Sequence, residues 1–96
     1  MEGNITLEEL TTILTETEEE FLETSDLDKK VIKTFKKCML HGYNEYNIHN
    51  IYVLVKCIMT AIEIYLDGKI VHNILKIVIV QFIKKAQNHG YFKELV

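Results

Sequence analysis

Cys38 and His41 stand three residues apart in the run CMLH, a C-x-x-H spacing that lets one helical turn offer a thiolate and an imidazole to zinc. No second closely spaced pair follows. Cys57 together with His49, His72 or His89 would have to complete the tetrahedron. The competing reading makes both cysteines small apolar core residues and leaves the histidines at helix ends and on polar strips. Lys56 and Glu63 are charges set within an apolar stretch, and they read as rim residues or a register-fixing pair across an interface rather than an acid and base. The chain has no glycine-rich phosphate loop, no nucleophile elbow and no carboxylate pair on an apolar face. The expectation is a non-enzyme with no cofactor and no catalytic or metal centre. Tyr43, Tyr46, Tyr52, Tyr91 and Phe92 could stack on bases, yet tyrosines that flank a loop and a terminus also serve to anchor those segments. All eleven cationic residues are lysine and the net charge is -3, so no arginine fork is present for phosphate or guanine. A nucleic-acid partner is therefore not expected.

The elements that must position these residues fill a chain of 96 residues, the size of a single domain with an adequate core. Apolar residues make up 48% and charged residues 26%, a globular balance. Two cysteines are too few for a disulfide scaffold, and the N-terminal segment has neither a basic nor an apolar leader pattern. An intracellular, cytoplasmic location follows as the expectation, with a virion as a further setting.

Punctuation places four helices, at about 7–24, 26–41, 48–66 and 69–89, in one all-α, compact four-helix bundle with a highly apolar C-terminal helical hairpin. TLEE at Thr6 to Glu9 is a capping-box pattern. Ser25 with Asp26 and Asp28 supplies the second cap, and His41-Gly42 reads as a helix end. Asn47 in GYNEYN is the expected cap of helix three, which runs to Asp67-Gly68. Gly90 reads as a left-handed stop for helix four, with Tyr91 or Phe92 folding back. The β-branched IVIV at Ile77 to Val80 is the one stretch with a competing strand reading, which the long flanking pattern with spaced lysines disfavours.

Helix one carries Leu7, Leu10, Ile13, Leu14, Thr17 and Phe21 on one stripe and a run of glutamates off it. Helix two is its basic counterpart, with Val31, Phe35 and Cys38 opposite Lys29, Lys30, Lys33 and Lys37. A tight turn at Ser25 would bring Glu18 to Glu23 near Lys29 to Lys33, in pairs worth only about 0.2 to 1 kcal/mol each. Helices three and four differ, since apolar residues occupy most of their circumference and polar ones a narrow strip.

Something must cover that surface. Lipid is an inefficient cover, because Lys56 and Glu63 cost about 2.5 to 3.5 kcal/mol each at a bilayer centre and each apolar residue returns about 0.3 to 0.6. The apolar run of helix four, interrupted by Lys76 and Gln81, also falls short of the roughly twenty residues a span needs. Protein is the better cover: an Ile or Val left in water forgoes about 1.5 to 3 kcal/mol, so several would rival the stability of the domain. The expected function is a protein–protein interaction or assembly module that self-associates, as a dimer or with a protein partner, through helices three and four. Its expected surface comprises Ile51, Leu54, Ile58, Ile62 and Tyr65 with Ile70, Ile74, Ile77, Val78 and Phe82. A membrane-associated hairpin and a small metal- or nucleic-acid-binding regulator are the alternative readings.

The stretch VKCIMTAIEIYLDGKIVHNILKIVIVQFI, about a third of the chain, resembles small helical proteins encoded by large DNA viruses of eukaryotes. In those proteins an I-M-x-x-Φ-E helix precedes a glycine turn and a second aliphatic helix. Ile58, Met59, Ile62, Glu63 and Gly68 match that pattern, whereas the acidic and lysine-rich opening of the second helix is reduced to Lys69. The resemblance implies a virion or virus–host interaction role and no known activity.

Overall fold

Thr6 opens the first helix by accepting the Glu9 N–H on its hydroxyl at 3.1 Å, with Glu8 and Glu9 in the dipole-favoured first turn. The computed structural model, which describes residues 2–95, places this helix, α1, at Leu7–Glu19. It ends earlier than the spacing predicts. The amides of Glu20 and Phe21 close short bonds to the carbonyls of Thr17 and Glu18, and the Thr24 hydroxyl donates to the Phe21 carbonyl at 2.8 Å. Side-chain bonding by Thr and Ser competes with helix propagation, so residues 20–24 turn rather than coil.

Ser25 caps α2 (Asp26–Glu45) by accepting the Asp28 N–H at 3.2 Å. The expected stop at His41-Gly42 is corrected, since α2 continues through Gly42. A Cβ added there would sit 2.9 Å from Leu54 Cδ1, so this glycine serves close helix approach rather than termination. Asn47, expected to cap helix three, instead adopts φ 55 and lets the Ile48 N–H reach back to the Gly42 carbonyl at 3.2 Å. Short polar side chains tolerate this left-handed conformation.

Asn50 is the true cap of α3 (Ile51–Tyr65), accepting from the Tyr52 and Val53 amides at 3.0 and 3.3 Å. The N-terminal segment straps across this cap: Ile51 N–H donates to the Gly3 carbonyl and Ile5 N–H to the His49 carbonyl. Gly3 has φ 90 and lies against the Tyr52 ring, where an added Cβ would come within 2.5 Å of a ring carbon. Only glycine fits there without a shift.

After Gly68, α4 spans Lys69–Asn88 and includes the β-branched Ile77 to Val80 run as helix. The backbone at its end follows the expected pattern. Tyr91 N–H donates to the Ala86 carbonyl and Gly90 N–H to Gln87, both at 3.0 Å, with Gly90 at φ 94. Phe92 then folds back edge-on against Tyr52, with ring centroids 4.8 Å apart, before a short 3-10 turn at Lys93–Leu95.

The result is an all-α four-helix bundle. Its centre is α2, which packs on α1, α3 and α4, while α1 also packs on α4. α3 and α4 follow each other across a short turn but share at most slight contact, each packing chiefly on other helices of the bundle. Phe35, Met39, Leu54, Leu75, Val78 and Phe82 lie at the core with essentially no exposure. Buried Thr17 donates its hydroxyl to the Ile13 carbonyl at 2.8 Å, and among the described residues no buried side-chain nitrogen or oxygen lacks a partner.

Candidate association surface

The ten residues expected to form an association surface divide cleanly. Ile51, Leu54, Ile58 and Ile62 of α3, with Val78 and Phe82 of α4, are buried within the chain itself. Those six are corrected from surface to core. The reason is the packing of α2 on both α3 and α4, joined on α4 by α1, which covers the inward stripe of each helix within the chain. The subunit core is therefore complete without a second molecule.

Four remain accessible. Ile74 is half-buried, whereas Tyr65, Ile70 and Ile77 are 83%, 68% and 55% exposed. Ile70, Ile74 and Ile77 follow a four-then-three spacing that places them on one stripe of α4, continued by Gln81 and Lys84. Tyr65 and its neighbour Ile64, 74% exposed, close α3 just before the turn into α4. His72 fixes that turn by donating from Nε2 to the Leu66 carbonyl at 2.8 Å.

On α3 and α4, three further exposed apolar residues escaped the spacing argument: Val53, Ile64 and Val80. A signal was present in each case. Val53 and Ile64 fall on the same face as Lys56 and Thr60, and Val80 falls with Asn73, Lys76 and Lys84. Apolar residues inside a polar strip mark an outer surface.

A second feature was not legible in the sequence. Where α2 and α3 diverge, they leave an open groove of about 580 Å³ floored by Cys38, Ile58, Ala61 and Ile62. Tyr46, Tyr65 and Leu66 wall it, and Lys37 and His41 stand at its edge. Cys57 is exposed, whereas Cys38 is half-buried, and burial pushes the Cys38 thiol above its ordinary pKa against a smaller lowering by Lys37.

The candidate metal ligands do not converge. Cys38, His41 and Cys57 share the groove, but the His49 ring lies 4.4 Å from that of Tyr43, and His89 Nε2 donates to Glu16 Oε1 at 2.8 Å. Among the described residues no group of three or more His, Cys, Asp or Glu side chains could hold a metal ion. Lys56 and Glu63 are both exposed on α3. Among the described residues no helix is long and apolar enough to cross a membrane.

The charge runs meet differently from the expected pairing. Glu18 binds Lys36 at 3.2 Å rather than a lysine of the first turn, and Glu20 and Glu16 reach α4 at Lys85 and His89. The longer turn after α1 shifts its acids along α2 and toward α4. The Lys85 ammonium is held above its ordinary pKa chiefly by the hydrogen bond it donates to Glu20 Oε1. By contrast, Lys29, Lys30, Lys33 and Lys37 form no ion pair among the described residues.

No protein-family model matches the chain, nor does any curated protein or solved structure. The functional reading rests on the surfaces themselves.

Proposed function

We propose that this chain is a non-enzymatic association module that pairs with a second copy of itself through α4 and the adjoining end of α3. The observation that carries the reading is the exposed stripe Ile70, Ile74 and Ile77, flanked by Ile64 and Tyr65. Among the described residues, six of the ten large apolar residues that are exposed lie on α3 and α4, which concentrates the uncovered surface on these two helices. A stripe at heptad spacing is self-complementary, so two copies related by a two-fold axis bury the same residues on both sides. Because each core is already closed, association joins folded subunits rather than completing an unfinished one. The resemblance of residues 55–83 to small viral helical proteins implies, within this reading, a role in virion assembly or in contact with a host protein.

Light scattering coupled to size exclusion tests the reading. At high concentration the expected mass is twice 11.3 kDa, and Ile70→Glu with Ile77→Glu returns it to the single-chain value at unchanged helix content. A single-chain mass at every concentration overturns it.

A further inference from the structure

The groove between α2 and α3 lies apart from Ile70, Ile74 and Ile77, meets the proposed pairing surface at Tyr65, and has walls that specify an occupant. Its floor is apolar, and among the described residues no carboxylate lines it. Its α2 lining runs from Thr34 to Tyr46 and its α3 lining from Cys57 to Leu66, a length of roughly three helical turns at 1.5 Å per residue. That matches the i, i+4, i+7 anchors of an amphipathic helix laid into a groove.

Charge selects among such helices. Lys29, Lys33 and Lys37 stand at four-residue intervals along α2, with Lys30 beside them. Lys37 belongs both to this ridge and to the groove edge, and Thr34 likewise faces both sides. None of the four lysines is neutralised by an ion pair among the described residues, whereas Lys36, on the side facing α1, is paired with Glu18. The groove is thus bordered at Lys37 by a lysine ridge that continues through Lys33 toward Lys29 and Lys30, with Asp26 beside the far end of that ridge. The acidic α1 of a second copy is unsuited to fill it, because Leu10, Ile13 and Leu14, the apolar stripe that would serve as anchors, are buried in its own core.

We infer that the α2/α3 groove binds an amphipathic helix of a partner protein, with apolar anchors over Ala61 and Ile58 and an acidic edge along Lys33 and Lys37. Charge complementarity of this kind chiefly sets specificity and association rate, and anchors in the apolar floor set residence time.

The test is selection of a displayed library of helical peptides, randomised on all faces, against the full chain. Enriched peptides are expected to carry apolar residues at i, i+4 and i+7 and a net negative charge. Synthetic copies should bind at least roughly tenfold more weakly to Lys33→Glu/Lys37→Glu. Ala61→Glu should abolish binding, and Cys57→Glu, at an exposed groove position that leaves the core untouched, guards against a folding defect in the first variant. Binding should persist in Ile70→Glu/Ile77→Glu, which separates this groove from the self-association stripe. Failure to enrich any peptide, enrichment of neutral or basic ones, or binding indifferent to Ala61→Glu and Cys57→Glu alike overturns the inference. Loss of self-association when peptide binds would assign the groove to a second copy and overturn it equally.

Discussion

The ring of Phe82 on α4 meets the ring of Phe35 on α2 edge to face, with centroids 5.4 Å apart and planes at 71°. Both side chains are fully buried. This contact lies on the α2–α4 seam, and it shows why α3 is not the main support of α4: the largest side chain of α4 is committed to α2. Edge-to-face geometry adds about 0.5 to 1.5 kcal/mol beyond the area that the rings bury.

Phe82→Ala should therefore cost about 3 to 5 kcal/mol, the range for an aromatic truncated in a packed core. Against a total of about 5 to 15 kcal/mol for a domain, that loss leaves a marginal fold. Urea unfolding followed by helical circular dichroism measures it. A midpoint close to that of the parent chain would mean that the α2–α4 seam contributes little.

The two cysteines should differ in reactivity although they border one groove. Cys57 is exposed, while Cys38 is half-buried with its thiol pushed up by that burial, which lowers its thiolate fraction at neutral pH. Titration of the native chain with a thiol-exchange reagent should show one fast and one slow phase. Cys57→Ser should remove the fast phase alone. Equal rates would contradict the placement of Cys38 against the core.

Tyr91 should reveal itself at alkaline pH. Burial first, and then the nearby Glu9 carboxylate, pushes its phenol up to about 12. An unfolded chain releases the same proton near 10. The folded-state pKa is the raised one, so the stabilisation is fully present below pH 10 and is lost as pH climbs from there toward 12. Stability measured across that window should fall for the parent chain and fall less for Tyr91→Phe. A Tyr91 ring resonance titrating with a midpoint at 10 would refute the assignment.

Helix starts and one helix end were written in local chemistry. Thr6, Ser25 and Gly90 act as their side chains, or lack of one, require, because each satisfies backbone groups within six residues of itself. Local signals failed where a distant element intervened. Gly42 carries the residue type of a helix stop, yet it lies inside α2 because Leu54 of α3 needs the space its missing side chain leaves. Asn50 became a cap in place of Asn47 where the N-terminal strap pairs Gly3 with Ile51.

The sequence by itself determined an all-α chain with four amphipathic or apolar helices, an acidic α1 and a basic α2, because helix period and capping depend on residues three or four positions apart. Only the tertiary structure decided which isoleucines are core and which are surface. Ile62 and Ile64, or Ile70 and Ile79, are alike in type and in helical setting, yet the first of each pair and the last differ in fate according to where α2 lies. Ile62 and Ile79 are covered, while Ile64 and Ile70 face water. Hydrophobicity states that a side chain favours cover but carries no direction, and direction came from the packing of α2 against both α3 and α4.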